Sequence, residues 1–135
     1  MMATSNRYLL DTHIILWFAL EPGRLSEAVK EVLAHPDSVF FVSATSAAEV
    51  ACGTDKGRIR LPSHWKTWFR KALDVNGWEC LPVTLDIMEE AYSLPEPFHA
   101  DPADRVLVAT ARQHRLTLLT ADGKILNYPH VASKS

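Results

Sequence analysis

Cysteine is scarce in this chain, and long hydrophobic runs are missing. Its two cysteines, Cys52 and Cys80, give neither a disulfide framework nor the spacing of metal ligands. We therefore expect a reducing compartment, the cytoplasm by default, and interpret both thiols as small core residues. The longest apolar run, residues 9–20, is broken by Asp11 and His13 and is too short to span a bilayer. We expect neither a signal peptide nor a transmembrane helix.

An excess of charge of either sign is also missing. Fourteen basic and sixteen acidic residues leave a formal charge of −2, which does not by itself indicate a nucleic-acid partner. With only five glycines, the chain has no glycine-rich phosphate loop and no nucleophile elbow. Its six histidines lack the spacing of a zinc-binding helix. At 47% hydrophobic residues, 135 residues predict one domain, 1–135, with a real core.

The stretch that organises the chain is Arg7–Leu10 followed by Asp11. Tyr8-Leu9-Leu10 has no polar alternation, which predicts a short strand buried on both faces. Asp11 then lies at the carboxyl end of that strand, where open parallel sheets bind ligands. A carboxylate there is costly unless it is paired, hydrogen-bonded or bound to a metal.

Strand and helix patterns alternate along the rest of the chain. After a leader over residues 1–6, strands are predicted at residues 7–10, 38–42, 78–82 and 116–120, with a brief edge strand near Val131. Helices are predicted after Asp11 to about Leu20, after Ser26, and over residues 46–56, 64–75, 84–94 and 102–114, with a short turn from Asp122. This order predicts a three-layer α/β/α sandwich around a mostly parallel sheet.

Acidic residues occur at each junction that such a sheet brings to one edge. Glu49 lies one turn into the helix after the second strand, Asp101 and Asp104 open a later helix, and Asp122 follows the fourth strand. Together with Asp11 they predict a Mg²⁺ or Mn²⁺ site, because these hard ions take carboxylate oxygens. Such an ion activates water and stabilises charge on a phosphodiester.

Each acid also has an ordinary structural interpretation. Asp11 is a potential helix N-cap, Ser46-Ala47-Ala48-Glu49 fits a capping box, and Asp122-Gly123 fits a turn. Asp101 followed by Pro102 is better explained as a cap, which leaves Asp104 free to face the cavity. His13 and His99 flank the acids, and we favour packing or supporting roles for them.

A basic stretch from Lys56 to Lys71 has six cations and no acid. Trp65, Trp68 and Phe69 are interleaved with these cations, a combination that suits single-stranded RNA, with Lys66, Arg70 and Lys71 on its phosphates. The alternative is a solvated helix face whose aromatic residues anchor it to the core or to another chain.

Four motifs in order resemble the PIN-domain ribonucleases, specifically the VapC-type toxins of bacterial toxin–antitoxin pairs. The matching stretches are residues 9–13, 43–49, 99–105 and 118–122. The resemblance implies a metal-dependent endoribonuclease with Asp11, Glu49, Asp104 and Asp122 as its acids and Asp101 as a less certain fifth. It places Thr12, Ser46 and Thr120 in the pocket lining.

The resemblance also implies a homodimer held inactive by a cognate antitoxin. We expect an amphipathic antitoxin segment to use aromatic anchors from the set Trp17, Phe18, Trp65, Trp68 and Phe69, and a basic side chain to reach Asp11 or Glu49. Two other functions stay open: a catalytically silent RNA- or partner-binding module of the same fold, and a receiver-like signalling domain. A receiver domain needs paired acids after the first strand, whereas Thr12 and His13 follow Asp11.

Overall fold

A computed structural model describes residues 6–99 and 101–135 of the chain. The strands are β1 Arg7–Leu10, β2 Val39–Ser43, β3 Glu79–Leu81, β4 Thr117–Leu119 and β5 Ser133–Lys134. The helices are α1 Thr12–Leu20, α2 Glu27–Ala34, α3 Ala44–Asp55, α4 Trp65–Asn76, α5 Leu85–Ala91, α6 Pro102–His114 and α7 Gly123–Leu126, with a 3₁₀ turn at Pro22–Arg24. The leader predicted over residues 1–6 lies, apart from Asn6, outside the described residues.

The five strands form one parallel sheet in the order β3-β2-β1-β4-β5. Residues that are paired across neighbouring strands lie on the same face of the sheet. Leu9 pairs with Phe41 and Leu118 and belongs to one core cluster, whereas Leu10 pairs with Leu119 and belongs to the other. Leu9 and Leu10 are both fully buried, so β1 is covered on both faces, as its unbroken apolar run predicts. The predicted α/β/α sandwich is confirmed.

The N-cap residues of two helices differ from the sequence prediction, because in each case two nearby polar residues can occupy the N-cap position. Helix α3 begins at Ala44 rather than Ser46, because the Ser43 hydroxyl accepts a hydrogen bond from the Thr45 amide (3.1 Å). The Ser46–Glu49 capping box is therefore wrong. Helix α4 is capped by His64 Nδ1 on the Lys66 amide (3.2 Å), not by Ser63.

Three strand or helix boundaries also differ from those predicted from the sequence. Helix α5 ends at Ala91 instead of near Leu94, and the edge strand is Ser133–Lys134 instead of Val131. Strand β2 starts one residue late, and Val39 at its outer end is 46% exposed. No described helix has the length and apolar character that crossing a bilayer requires.

Several side chains are placed differently from the prediction. Both cysteines are exposed rather than in the core, because Cys80 lies on the edge strand β3 and Cys52 on the groove-facing side of α3. Trp68 and Phe69 are 8% and 4% exposed and pack in the core. They anchor α4 to the protein, so they are unavailable to RNA or to an antitoxin.

Candidate metal centre

The predicted acids stand at one edge of the sheet because parallel strands end on the same side. Asp11 directly follows β1, Asp122 follows β4 after two residues, and Glu49 lies in α3, which begins at the end of β2. Asp101 and Asp104 form the start of α6. Burial raises the pKa of Asp11, Glu49 and Asp104, and the carboxylates are close enough for their mutual repulsion to add a smaller rise.

Asp11 is the most buried of these acids, at 5% exposed. It occupies the N-cap position of α1, but among the described residues its side chain makes no capping hydrogen bond, so the cap interpretation is wrong. Instead, the buried Thr120 hydroxyl donates to Asp11 Oδ2 at 2.6 Å and accepts from the Asp122 amide at 3.0 Å. Thr120 therefore ties β4 to both acids. Burial raises the pKa of Asp11 above its ordinary value, against this hydrogen bond.

A residue of α1 orients the Glu49 carboxylate. The Thr12 hydroxyl donates to Glu49 Oε1 at 2.5 Å and lies 2.8 Å from the Ser46 hydroxyl. Burial raises the pKa of Glu49, the Thr12 hydrogen bond opposes that rise, and repulsion from Asp11 and Asp104 adds to it. The small polar residues that the resemblance placed in the pocket thus orient the acids.

Asp104 faces the same space from α6. Its Oδ2 lies 2.7 Å from His99 Nε2, and burial, opposed by that hydrogen bond, raises the pKa of Asp104 to about 6. Ligand atoms of His99, Asp104 and Asp122 all lie within 4.8 Å of one another, a spacing that suits one metal ion. From the sequence we favoured packing or a supporting role for His99. Its position two residues before Asp101, the N-cap of α6, is the feature that could have indicated a metal ligand.

Asp101 and Asp122 both cap helices while remaining near the site. Asp101 is exposed, and its Oδ1 accepts from the Asp104 amide at 3.1 Å, as the cap interpretation predicts. Asp122 Oδ1 accepts from the Lys124 amide at 2.8 Å. The turn interpretation of Asp122 is therefore correct, yet it leaves one carboxylate oxygen of each residue for other contacts.

These residues fit a divalent metal ion. No lysine or arginine within the described part of the chain forms an ion pair with Asp11, Glu49, Asp104 or Asp122. Four neighbouring carboxylates repel one another when they are ionised at neutral pH, so the site requires a compensating cation. Their oxygens, with one imidazole nitrogen nearby, are hard donors, which do not suit a soft metal.

A groove of about 1150 Å³ opens beside the acids. Thr12 and Glu49 line its inner end, and its rim includes Lys56, Arg58 and Arg60 from the predicted basic stretch. The other cations of that stretch, Lys66, Arg70 and Lys71, lie on the exposed surface of α4 and are absent from the described lining.

Comparison with known proteins identifies relatives along nearly the whole chain. The PIN domain family matches residues 8–131. Ribonuclease VapC22 of Mycobacterium tuberculosis is 33% identical over 122 residues, covering 90% of this chain and 92% of that protein.

Solved structures agree in fold. A toxin–antitoxin complex from Klebsiella pneumoniae has a chain with a TM-score of 0.67 at 24% identity, over 95% of this chain and 96% of that one. FitAcB from Neisseria gonorrhoeae gives 0.63 at 25% identity, over 95% and 96% of the two chains. The sheet order, the acidic edge and these matches together show that the chain belongs to the PIN domain family.

Proposed function

We propose that this protein is a metal-dependent endoribonuclease that hydrolyses RNA phosphodiester bonds. The observation that carries the proposal is the set of buried or half-buried carboxylates, Asp11, Glu49, Asp104 and Asp122, with no lysine or arginine paired to them in the described chain. Asp101 is proposed as an outer member that caps α6 beside them. Family membership and the name of the Mycobacterium relative support the reaction class.

Mg²⁺ or Mn²⁺ is the ion that this donor set favours. When bound, the ion supplies an activated water and stabilises charge on the phosphate in the transition state. Asp11, Glu49, Asp104 and Asp122 hold it, while Thr120 and Thr12 fix the orientation of the first two carboxylates through hydrogen bonds of 2.6 and 2.5 Å. These threonines reduce the rearrangement that binding requires, because the acids are already aimed before the ion arrives.

The proposed biological role is the toxin of a toxin–antitoxin pair in the cytoplasm. The Klebsiella structure with this fold is a toxin–antitoxin complex, and the Mycobacterium relative is named as a VapC ribonuclease. An antitoxin segment with a basic side chain, inserted at Glu49, would compensate the acids and displace the metal. With Trp68 and Phe69 buried, Trp17 is the member of the expected anchor set that lines the groove, which also includes Tyr92.

A homodimer is proposed with it. Three exposed apolar side chains follow one another along α5 and its C-cap: Leu85, Met88 and Tyr92, at 74%, 39% and 58% exposure, of which Met88 and Tyr92 also line the groove. The spacing of three and four residues puts them on one helix face, which a second copy can cover. Light scattering of the purified protein tests this, and a monomer at micromolar concentration contradicts it.

Expression in a bacterial host tests the toxin role. We expect the wild-type protein to arrest growth, Asp11→Ala to be harmless, and co-expression of the product of the neighbouring gene to restore growth. If the wild-type and Asp11→Ala proteins accumulate in soluble form and are equally harmless, a silent binding module of this fold becomes the better account.

A further inference from the structure

The groove beside the acids forms a channel lined by four helices. Helix α1 contributes residues 12, 13, 16, 17 and 20, and helix α3 contributes residues 45, 48, 49, 52 and 53, with Lys56 directly after it. Helices α5 and α6 add residues 88, 102, 103 and 106. Positions three and four residues apart lie on one face of a helix, so α1 and α3 each present one face to the channel. Glu49 is the member of the proposed metal site that lines it.

One wall of the channel is a stack of flat side chains. The His13 ring lies 5.8 Å from the Trp17 ring, tilted by 51°, and the Arg24 guanidinium lies over the Trp17 ring at 4.6 Å. Arg24 Nη1 donates to Glu21 Oε2 at 3.2 Å, while its side chain keeps 60% of its surface exposed. His13 is also exposed. The wall therefore presents an indole, a fixed guanidinium plane and an imidazole.

A second part of the lining is basic, and it follows a close contact at a glycine. The amides of Arg58 and Ile59 both donate to the Gly53 carbonyl, at 2.9 and 3.1 Å, which folds the chain back on α3. A Cβ at Gly53 would lie 2.3 Å from Ile59 Cδ1, so any larger residue there requires the Ile59 side chain to shift. Ile59 packs inward, and Arg58 and Arg60 on either side of it are exposed.

The charges on this rim are uncommitted. Lys56, Arg58 and Arg60 are exposed, and none of them takes part in an ion pair with another described residue. Glu21, an acid in the same lining, is already paired with Arg24. The channel thus combines three free cations with a stacking surface, and its lining includes Glu49 of the proposed metal site.

We propose that this channel is a nucleobase subsite for single-stranded RNA, an inference that rests on the proposed nuclease function. An unpaired base stacks on the Trp17–Arg24 wall, and the adjoining phosphates contact Lys56, Arg58 and Arg60. Single strands offer both features together, a free base face and a charged backbone, whereas a duplex hides its bases. Stacking accepts any base, so the subsite positions the strand over the acids without reading its sequence.

Fluorescence anisotropy with a labelled mixed-sequence oligoribonucleotide tests the phosphate contacts, in an Asp11→Asn background that prevents cleavage. Changing Lys56, Arg58 and Arg60 to Gln should weaken binding and reduce the slope of log affinity against log salt by about 2, at ~0.7 per lost phosphate contact. The matched control changes Lys30, Arg115 and Lys134 to Gln, three cations that are not part of the groove lining. It removes the same charge outside the groove and should leave the slope unchanged.

The stacking wall is tested with two conservative variants. Trp17→Leu keeps an apolar side chain but loses the π face, and should weaken binding about tenfold, whereas Trp17→Phe should restore most of it. Trp17 packs against the core, so Arg24→Gln serves as a second variant that leaves the indole in place. It should weaken binding in the same direction.

The nucleobase subsite and the nuclease function are tested by different measurements. If Trp17→Leu and Arg24→Gln bind as tightly as their parent, or if the two triple variants have equal salt slopes, the subsite is refuted and the groove is assigned to a protein segment. Wild-type cleavage, measured with and without EDTA, tests the nuclease function independently of these variants.

Discussion

At the residue scale, similar acids have different tasks because their hydrogen bonds differ. Asp11 occupies a cap position without capping, and its carboxylate turns to Thr120. Asp101, with the same residue type at the same helix position, caps α6. The spacing of acids along the sequence predicted Asp11 and Asp101 as candidate site residues. It did not show which of the two caps a helix. That difference depends on Thr120, which lies 109 residues from Asp11 in the sequence.

Asparagine at positions 101 and 104 should therefore have opposite consequences. Asp101→Asn should keep most of the activity and stability, because asparagine also caps helices. Asp104→Asn should lower the cleavage rate at least about a hundredfold, the scale for losing an electrostatic contribution to the transition state. Rate assays with melting curves check this, and a larger loss of activity in Asp101→Asn would refute the assignment.

The raised pKa of Asp104 predicts a pH-dependent stability. This carboxyl ionises near pH 3.8 in the unfolded chain and near pH 6 when folded. Between these values the folded protein binds more protons than the unfolded chain, so its stability falls as pH rises through the window. Above pH 6 the ionised site is unfavourable until a divalent ion compensates it.

Melting curves from pH 4 to 8 in EDTA, and again with Mn²⁺, test this sign. We expect Asp104→Asn to melt at least about 3 °C higher than the wild type in EDTA at pH 7, and the difference to shrink toward pH 4. Mn²⁺ should raise the melting temperature of the wild type more than that of the variant. A wild-type advantage in EDTA that grows with pH contradicts the account.

At the element scale, the patterns that specified helices and strands were local, and the errors came from competition between neighbours. Unbroken apolar runs located β1 and β2, and Pro102 with its preceding acid located α6. Ser43 and Ser46 are both good caps, and the sequence does not say which one lies at the strand end. The two-residue strand β5 has too few residues for a pattern and exists because β4 offers an edge.

Gly53 is the position where packing between elements restricts the sequence most tightly. Gly53→Ala should lower the melting temperature by about 5 °C, because the new methyl group must displace Ile59 and overpacking costs about 1–3 kcal/mol. Gly23→Ala is the matched control, since a Cβ there meets nothing within 4 Å. Differential scanning fluorimetry of both variants decides, and an equal effect of the two would contradict the contact.

At the scale of the whole molecule, the sequence predicted the fold but not the groove. A parallel sheet brings strand ends together regardless of detail, which is why the sequence predicts four acids at one edge of the sheet. The burial of Trp68 and Phe69 and the exposure of Cys52 depend on how α4 and α3 rotate against the core. Those rotations are set by tertiary packing, which no local pattern records.

The most direct measurement of the central claim is RNA cleavage by the purified protein, with mapping of the new ends. The wild-type protein should cleave in Mg²⁺ or Mn²⁺ and stop in EDTA. Asp11→Asn, with a cooperative melting curve in EDTA that shows it is folded, should cleave at least about a hundredfold more slowly. Full cleavage by the wild-type protein in EDTA, or by Asp11→Asn in Mn²⁺, would contradict a metal centre built on these carboxylates.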